Sequence, residues 1–79
     1  MITKENILQF FEDELGIDTT GIEGETLLFT DGFVDSFALV TLMMYFETEE
    51  NFKIKASDVN LDNFDSIDRM LDYIARSTA

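Results

Sequence analysis

All four glycines of the chain lie between residues 16 and 32, and the sequence contains no proline. Glycine and proline are the strongest local interruptions of regular structure, so their clustering marks one long loop in an otherwise helical chain. We therefore predict an all-α fold: a four-helix bundle of three main helices and one short helix, with a long loop between the first two helices. With 79 residues, the chain is expected to form a single domain over residues 1–79.

The first helix is defined by signals at both ends. Thr3 is a suitable N-cap, and Gly16 suits a left-handed helix end. Between them the apolar positions follow a helical spacing: Ile7, Leu8, Phe11 and Leu15. A connection as long as the one that follows needs its own packing. Seven apolar side chains are available to pin it to the bundle: Ile17, Ile22, Leu27, Leu28, Phe29, Phe33 and Val34.

The second helix is predicted to begin after Asp35 as N-cap, with Ser36 in its first turn, and to run to about Asn51. Its core stripe is expected to be Leu39, Leu42, Met43 and Phe46. More apolar residues lie on another side, beside polar ones: Phe37, Val40 and Met44 with Thr41, Glu47 and Thr48. A bundle this small has too few elements to surround a helix, so we predict an exposed apolar patch of the kind that binds proteins.

Three further elements are predicted in the sequence after residue 51. An extended piece over residues 52–55 is followed by a short helical turn near 57–60. A last helix is expected from about Asp65-Ser66, with Ile67, Met70, Leu71 and Ile74 on one face. Leu61 and Phe64 are predicted to fill the space inside the bundle.

Charge is distributed unevenly. The net charge is -12, and no cation lies between Glu5 and Phe52, where the sequence has twelve carboxylates. Such a field repels nucleic acid and anionic membranes, attracts basic partner surfaces and favours a monomer. The longest apolar run is about half of what a membrane-spanning helix needs, so we expect no membrane insertion and a cytoplasmic location.

Catalysis by this chain itself is disfavoured. It contains no histidine or cysteine, so Ser36 has no evident base and zinc has no soft ligand. Asp58, Asn60 and Asp62 resemble the opening of a calcium loop, but Asn63 stands where the loop needs glycine and Arg69 where it needs glutamate. Helix capping explains them better, and no metal site is predicted. Ser36 is better suited as a group that another enzyme modifies.

One run resembles the D-S-L attachment signature of acyl and peptidyl carrier proteins: Phe33-Val34-Asp35-Ser36-Phe37. The resemblance covers essentially the whole chain. It includes Leu28-Phe29 before Asp31-Gly32, the apolar helix after the serine, Phe52-Lys53-Ile54, and Asn63-Phe64-Asp65-Ser66-Ile67.

The resemblance implies a function. Ser36 would receive 4′-phosphopantetheine from coenzyme A through a phosphopantetheinyl transferase, and acyl or aminoacyl cargo would be carried as a thioester. Further partners would be pathway enzymes with basic docking surfaces: an acyl- or aminoacyl-loading ligase, a ketosynthase or a transferase. The expected docking residues are Asp35, Phe37, Val40, Thr41, Met44 and Glu47.

Three departures from the family pattern favour a specialised pathway. Phe37 stands where leucine is usual, Thr41 where many fatty-acid carriers have an acid, and Ala56 where a larger aliphatic residue is common. Aminoacyl, D-alanyl, polyketide and peptide carriers all stay open. The eight phenylalanines are expected to fill the bundle and leave little room for a long acyl chain. The alternative to a carrier is an unmodified acidic adaptor that docks through Phe37, Val40 and Met44, or that mimics nucleic acid.

Overall fold

The computed structural model describes residues 2–78, and these residues form an all-helical bundle without strands. Its α-helices are α1 (Lys4–Leu15), α2 (Ser36–Glu50), α3 (Leu61–Phe64) and α4 (Ile67–Thr78), with a 3-10 helix over Ala56–Asp58. The predicted fold class, three main helices plus one short helix and a long first connection, is confirmed.

Both predicted ends of α1 are confirmed. The Thr3 hydroxyl accepts the Asn6 N–H at 3.2 Å, and the Asn6 side-chain oxygen accepts the Thr3 N–H at 3.0 Å. This reciprocal pair satisfies two backbone donors that the first turn would otherwise leave unpaired. At the other end Gly16 is left-handed, with φ of 65°, and its N–H donates to the carbonyl of Phe11.

Helices α1 and α2 run antiparallel. The N–H of Ile2, just before α1, donates to the Glu50 carboxylate at the end of α2, at 2.9 Å. At the opposite end Leu15 of α1 and Ala38 of α2 line the same surface groove. The end of α1 therefore lies beside the start of α2, where Ser36 is.

The core is filled by large side chains from the four α-helices and the long loop. Nine are almost fully buried: Ile7, Phe11, Leu28, Leu42, Phe46, Phe64, Ile67, Met70 and Ile74. In α2 the buried residues are Ala38, Leu42 and Phe46, which are four residues apart and so form one stripe. Leu39 and Met43, expected in the core, flank this stripe and are half-buried.

The long loop is held to the bundle mainly by three buried side chains, those of Ile22, Leu28 and Val34. Phe33 was expected to help pin it, and this is wrong, because its side chain is 43% exposed. Val34 takes the buried position next to it, and neighbouring side chains in such a non-helical stretch point to opposite sides.

The short helical turn predicted near residues 57–60 is present, and a second short helix, α3, follows it and was not predicted. Residues 56–58 form the 3-10 helix, and α3 follows at Leu61–Phe64, capped by the Asn60 side chain, which accepts the Asn63 N–H at 3.0 Å. Phe64 is buried, but Leu61 is 52% exposed, so its predicted place inside the bundle is wrong. Positions three apart are neighbours on a helix surface, so periodicity alone does not separate them; Leu61 begins the four-residue helix and lies at its solvent-exposed end.

Helix α4 begins where predicted. The Ser66 hydroxyl accepts the Arg69 N–H at 3.1 Å and so caps the first turn. Tyr73, which the periodicity did not assign to the core, is buried, and its hydroxyl donates to the Asp58 carboxylate at 2.9 Å. This bond ties α4 to the 3-10 helix.

Candidate attachment site

Ser36 is the first residue of α2, and it is exposed. No group among residues 2–78 forms a hydrogen bond with its hydroxyl. Asp35 caps the helix: its carboxylate accepts the Ala38 N–H at 2.9 Å, and its carbonyl accepts the Leu39 N–H at 3.1 Å. The first backbone N–H groups of a helix carry the positive end of the helix dipole, so the free hydroxyl lies beside a site that favours a negatively charged substituent.

Among the described residues, no base forms a hydrogen bond with Ser36 that could activate it. The neighbouring carboxylate, that of Asp35, is engaged as the helix cap. A serine that attacks a substrate on its own needs an adjacent general base to take its proton. The geometry therefore suits a serine that is presented to another protein, not one that reacts unaided.

A buried carboxylate holds the loop that leads to Ser36. Asp65, between α3 and α4, is only 2% exposed. One carboxylate oxygen accepts the N–H groups of Phe29 at 2.8 Å and Thr30 at 3.0 Å, and the other accepts the Thr30 hydroxyl. The Asp65 carbonyl also accepts the Leu28 N–H at 2.6 Å. These hydrogen bonds thus fix residues 28–30 to the junction between α3 and α4.

Asp65 stays ionised at neutral pH. Burial alone would raise the pKa of its carboxyl group, but hydrogen bonds from Thr30 and Phe29 and the nearby charge of Arg69 outweigh burial and lower it. This role of Asp65 was not predicted from the sequence, where the residue fits the start of a helix. The sequence did contain one signal for it: Asp65 lies between an apolar residue that fills the core, Phe64, and a helix-capping residue, Ser66. An acid in such a position is expected to be buried and to need hydrogen-bond donors.

The held segment is connected to Ser36 by a tight turn. The Val34 N–H donates to the Leu28 carbonyl at 3.1 Å, and Gly32 in the turn has φ of 81°, a conformation that favours glycine. Val34 itself is buried two residues before Ser36. The backbone entering α2 is therefore fixed from both the turn and the core.

The second apolar side of α2 faces solvent, as predicted. Phe37 is 77% exposed, Met44 63% and Val40 55%. Thr41 lies among them and is half-buried, with its hydroxyl donating to the Phe37 carbonyl of its own helix at 3.1 Å. These four residues are called the α2 patch below. Ser36 lies directly before its first residue.

Glu47 differs from the other predicted docking residues. It is half-buried, and its carboxylate accepts the Ile54 N–H at 2.8 Å. This bond holds the irregular segment 52–55 against α2. Glu47 therefore has a structural contact within the chain, which its place in the sequence did not reveal.

No group of three or more side chains suited to hold a metal occurs in the described range 2–78. The acidic run at residues 58–62 is used otherwise, since Asn60 caps α3 and Asp58 binds Tyr73. No helix among the same residues is long and apolar enough to cross a membrane.

The fold and the site together define a class: a small helical domain that presents one exposed serine at the start of a helix. Three curated relatives, each named acyl carrier protein, match this chain. The one from Aster yellows witches'-broom phytoplasma is 32% identical over 75 residues, covering 95% of this chain and 96% of the relative. The one from Phytoplasma mali is 34% identical over 70 residues, covering 89% and 81%. The one from Thermotoga maritima is 30% identical over 70 residues, covering 89% and 84%.

These matches span nearly the full length of both partners, so the chain belongs to the acyl carrier protein family. No family model matches the chain, and no solved structure matches it. The family relationship supports an acyl carrier role and a non-catalytic one.

Proposed function

We propose that this chain carries acyl or aminoacyl intermediates of a biosynthetic pathway on a 4′-phosphopantetheine group attached to Ser36. The observation that supports the proposal most strongly is the exposed Ser36 hydroxyl at the start of α2, which no other group among residues 2–78 binds, in a member of the acyl carrier protein family. When bound, the group supplies the thiol that forms thioesters with cargo, which this cysteine-free chain lacks.

Attachment would be a phosphoryl-type transfer catalysed by a phosphopantetheinyl transferase. The Ser36 oxygen forms a bond to the phosphorus of coenzyme A that bears pantetheine, and the pyrophosphate bond breaks to release adenosine 3′,5′-bisphosphate. The hydroxyl proton passes to a base of the transferase, because this chain offers Ser36 none. The chain's own contribution is to keep the Ser36 hydroxyl exposed and accessible to the transferase.

The residues present fit such a group. A phosphodiester at Ser36 would meet the positive end of α2, which is favourable by about 0.3–1 kcal/mol at an exposed site. The Asp35 carboxylate accepts a hydrogen bond from the Ala38 N–H. Its negative charge is therefore partly compensated by the backbone of the first helical turn. Asp31 and Asp35 still oppose a second negative charge, so tight docking of the phosphate is not expected.

Partner enzymes would dock on the α2 patch and the acidic surface around it. Phe37 offers apolar contact area next to the attachment point, Met44 offers more about two turns further along α2, and Asp35 offers an exposed charge before Ser36. The net charge of -12 would steer the chain toward basic surfaces of the transferase, of a loading ligase, and of a ketosynthase or other transferase. Glu47 would contribute less, because it already holds Ile54. A cytoplasmic location and a monomeric state belong to the same proposal.

Intact mass measurement tests the attachment. The wild type is incubated with coenzyme A and a promiscuous phosphopantetheinyl transferase, beside Ser36→Ala and a matched control, Ser57→Ala, which alters another exposed serine. The wild type and the control should each gain one arm, and Ser36→Ala none. A wild type that gains no mass would instead favour the unmodified acidic adaptor.

A further inference from the structure

One pair of stacked aromatic rings connects α1 to α2 at the surface of the bundle. The ring of Phe10 in α1 and the ring of Tyr45 in α2 have their centroids 4.5 Å apart, with 21° between the ring planes. Both side chains are half-buried and pack against core residues. Each ring therefore keeps apolar surface that the rest of residues 2–78 leaves in contact with solvent.

Two surface hollows border this pair, and Phe10, Glu14 and Tyr45 line both of them. The first, of about 200 Å³, is completed by polar side chains of α1, among them Asp13. The second, of about 290 Å³, is completed by residues of α2, among them Met44, which also belongs to the α2 patch and is 63% exposed. The two rings with Met44, Asp13 and Glu14 are named the Phe10–Tyr45 surface below.

The edge of this surface is acidic. Asp13 and Glu14 lie beside the rings on α1, Glu49 lies on α2, and no cation among residues 2–78 lines either hollow. Helix α1 has no basic residue in its last turn, where the helix dipole is negative. The acids at that end therefore repel the helix terminus as well as each other. A positively charged group from outside the chain would relieve this repulsion.

Two of these carboxylates keep free acceptor oxygens. Asp13 uses one oxygen to accept the side-chain N–H of Gln9 at 3.0 Å, and the Glu14 carboxylate, which is exposed, binds no group among residues 2–78. Carboxylates beside aromatic rings suit an arginine, because its planar guanidinium stacks on a ring and donates several N–H groups at its edge. A lysine ammonium fits less well, because it is compact and strongly hydrated.

Other occupants are disfavoured by charge. A second copy of this chain would bring its own net charge of -12 to the same acids, so the two copies repel each other. Nucleic acid and anionic membranes are repelled for the same reason. The apolar side chain of Met44 still needs an apolar partner to cover it. The complementary occupant is thus a basic protein segment that also carries an apolar side chain.

We propose that the Phe10–Tyr45 surface is a second docking surface, which binds a basic partner segment bearing an arginine and an apolar side chain. The guanidinium lies against the rings and the acids of α1, and the apolar side chain packs on Met44. From Ser36 to Tyr45 α2 rises roughly 14 Å at about 1.5 Å per residue, so the bound segment leaves Ser36 accessible to another protein. The inference does not depend on modification of Ser36.

The test titrates a synthetic peptide into the unmodified, isotopically labelled chain at low salt. The peptide is an amphipathic helix with one arginine and one leucine a single turn apart. Two altered peptides have lysine in place of the arginine or serine in place of the leucine. We expect the largest amide shifts at Gln9, Glu14 and Tyr45, and several-fold weaker binding of each altered peptide. Absence of binding, shifts centred on Val40 or on α4, or equal affinity for the lysine peptide would overturn the inference.

Three variants sharpen the test. Tyr45→Leu removes a ring but keeps apolar bulk, and Glu14→Gln removes an exposed charge, so each should weaken binding several-fold. Glu25→Gln alters an exposed acid of the long loop that lines neither hollow, and it should leave the affinity unchanged. Circular dichroism shows whether Tyr45→Leu is folded. Equal effects of Glu14→Gln and Glu25→Gln would overturn the inference, because net charge alone would then explain binding. Arm transfer is measured separately, so its failure would remove the proposed function and leave this result unaffected.

Discussion

Asp65 holds Thr30 through both of its carboxylate oxygens: one accepts the Thr30 N–H at 3.0 Å, and the other accepts the Thr30 hydroxyl. The two residues are 35 positions apart in the chain. Because Thr30 lies in the loop that leads to Ser36, the junction between α3 and α4 helps to fix the attachment site. A substitution at Asp65 should therefore alter the position of the loop that leads to Ser36.

Removal of the Asp65 carboxylate should destabilise the fold strongly. Asp65→Ala leaves the N–H groups of Phe29 and Thr30 without their acceptor, and hydrogen bonds to a charged group contribute about 1.5–3 kcal/mol each. We expect a loss of about 3 kcal/mol in the free energy of unfolding, measured by urea titration. Asp62→Ala, at an exposed acid, is the control and should change it by less than about 0.5 kcal/mol. Equal losses in the two variants would contradict this role.

The same carboxylate should make stability depend on acid. The pKa of Asp65 is lowered in the folded state relative to its ordinary value of 3.8, so its contribution is complete above that value and is lost as the pH falls through the folded-state pKa. The stability difference between wild type and Asp65→Asn should therefore be constant near neutral pH and shrink below about pH 4. Urea titrations over this pH range measure it. A difference that stays constant down to pH 2 would show that the carboxylate's charge is not involved.

The α2 patch should matter for partner enzymes and not for folding. Met44 is 63% exposed, so Met44→Glu should leave the thermal midpoint within a few degrees of wild type. It places a charge where the transferase is proposed to dock, so the rate of arm transfer should fall at least several-fold. Ala75→Glu adds the same charge on exposed α4 and should leave the rate unchanged. Equal transfer rates in the two variants would mean that partners use another face.

Glu47 should act on stability more than on docking. Glu47→Ala removes the acceptor of the Ile54 N–H and should cost about 1–3 kcal/mol in the free energy of unfolding. The exposed neighbour Glu49 serves as the control, since Glu49→Ala removes an equal charge. If both variants slow arm transfer equally and neither changes stability, Glu47 is a docking residue and its contact to Ile54 is dispensable.

Local signals in the sequence account for the helix ends and for the exposed serine. Thr3, Gly16 and Asp35 define caps through contacts with residues at most five positions away, so a short stretch of sequence contains the whole interaction. The exposure of the α2 patch followed from counting elements, because a bundle of this size covers only one stripe of a helix.

Contacts between distant residues could not be predicted in the same way. Asp65 and Thr30 are brought together by the fold, and no period or cap links them in the sequence. Phe33 and Leu61 were misassigned for a related reason. Each sits next to or near a residue that fills the core, and packing decides which of the two is buried. Hydrophobicity alone does not distinguish them.

The most direct measurement of the central claim is peptide mapping of the chain after arm transfer. The wild type is modified with coenzyme A and the transferase, digested, and fragmented in a mass spectrometer. We expect one arm per chain, located on Ser36. An arm on any other residue, or an unmodified chain under conditions that modify a known carrier, would contradict it.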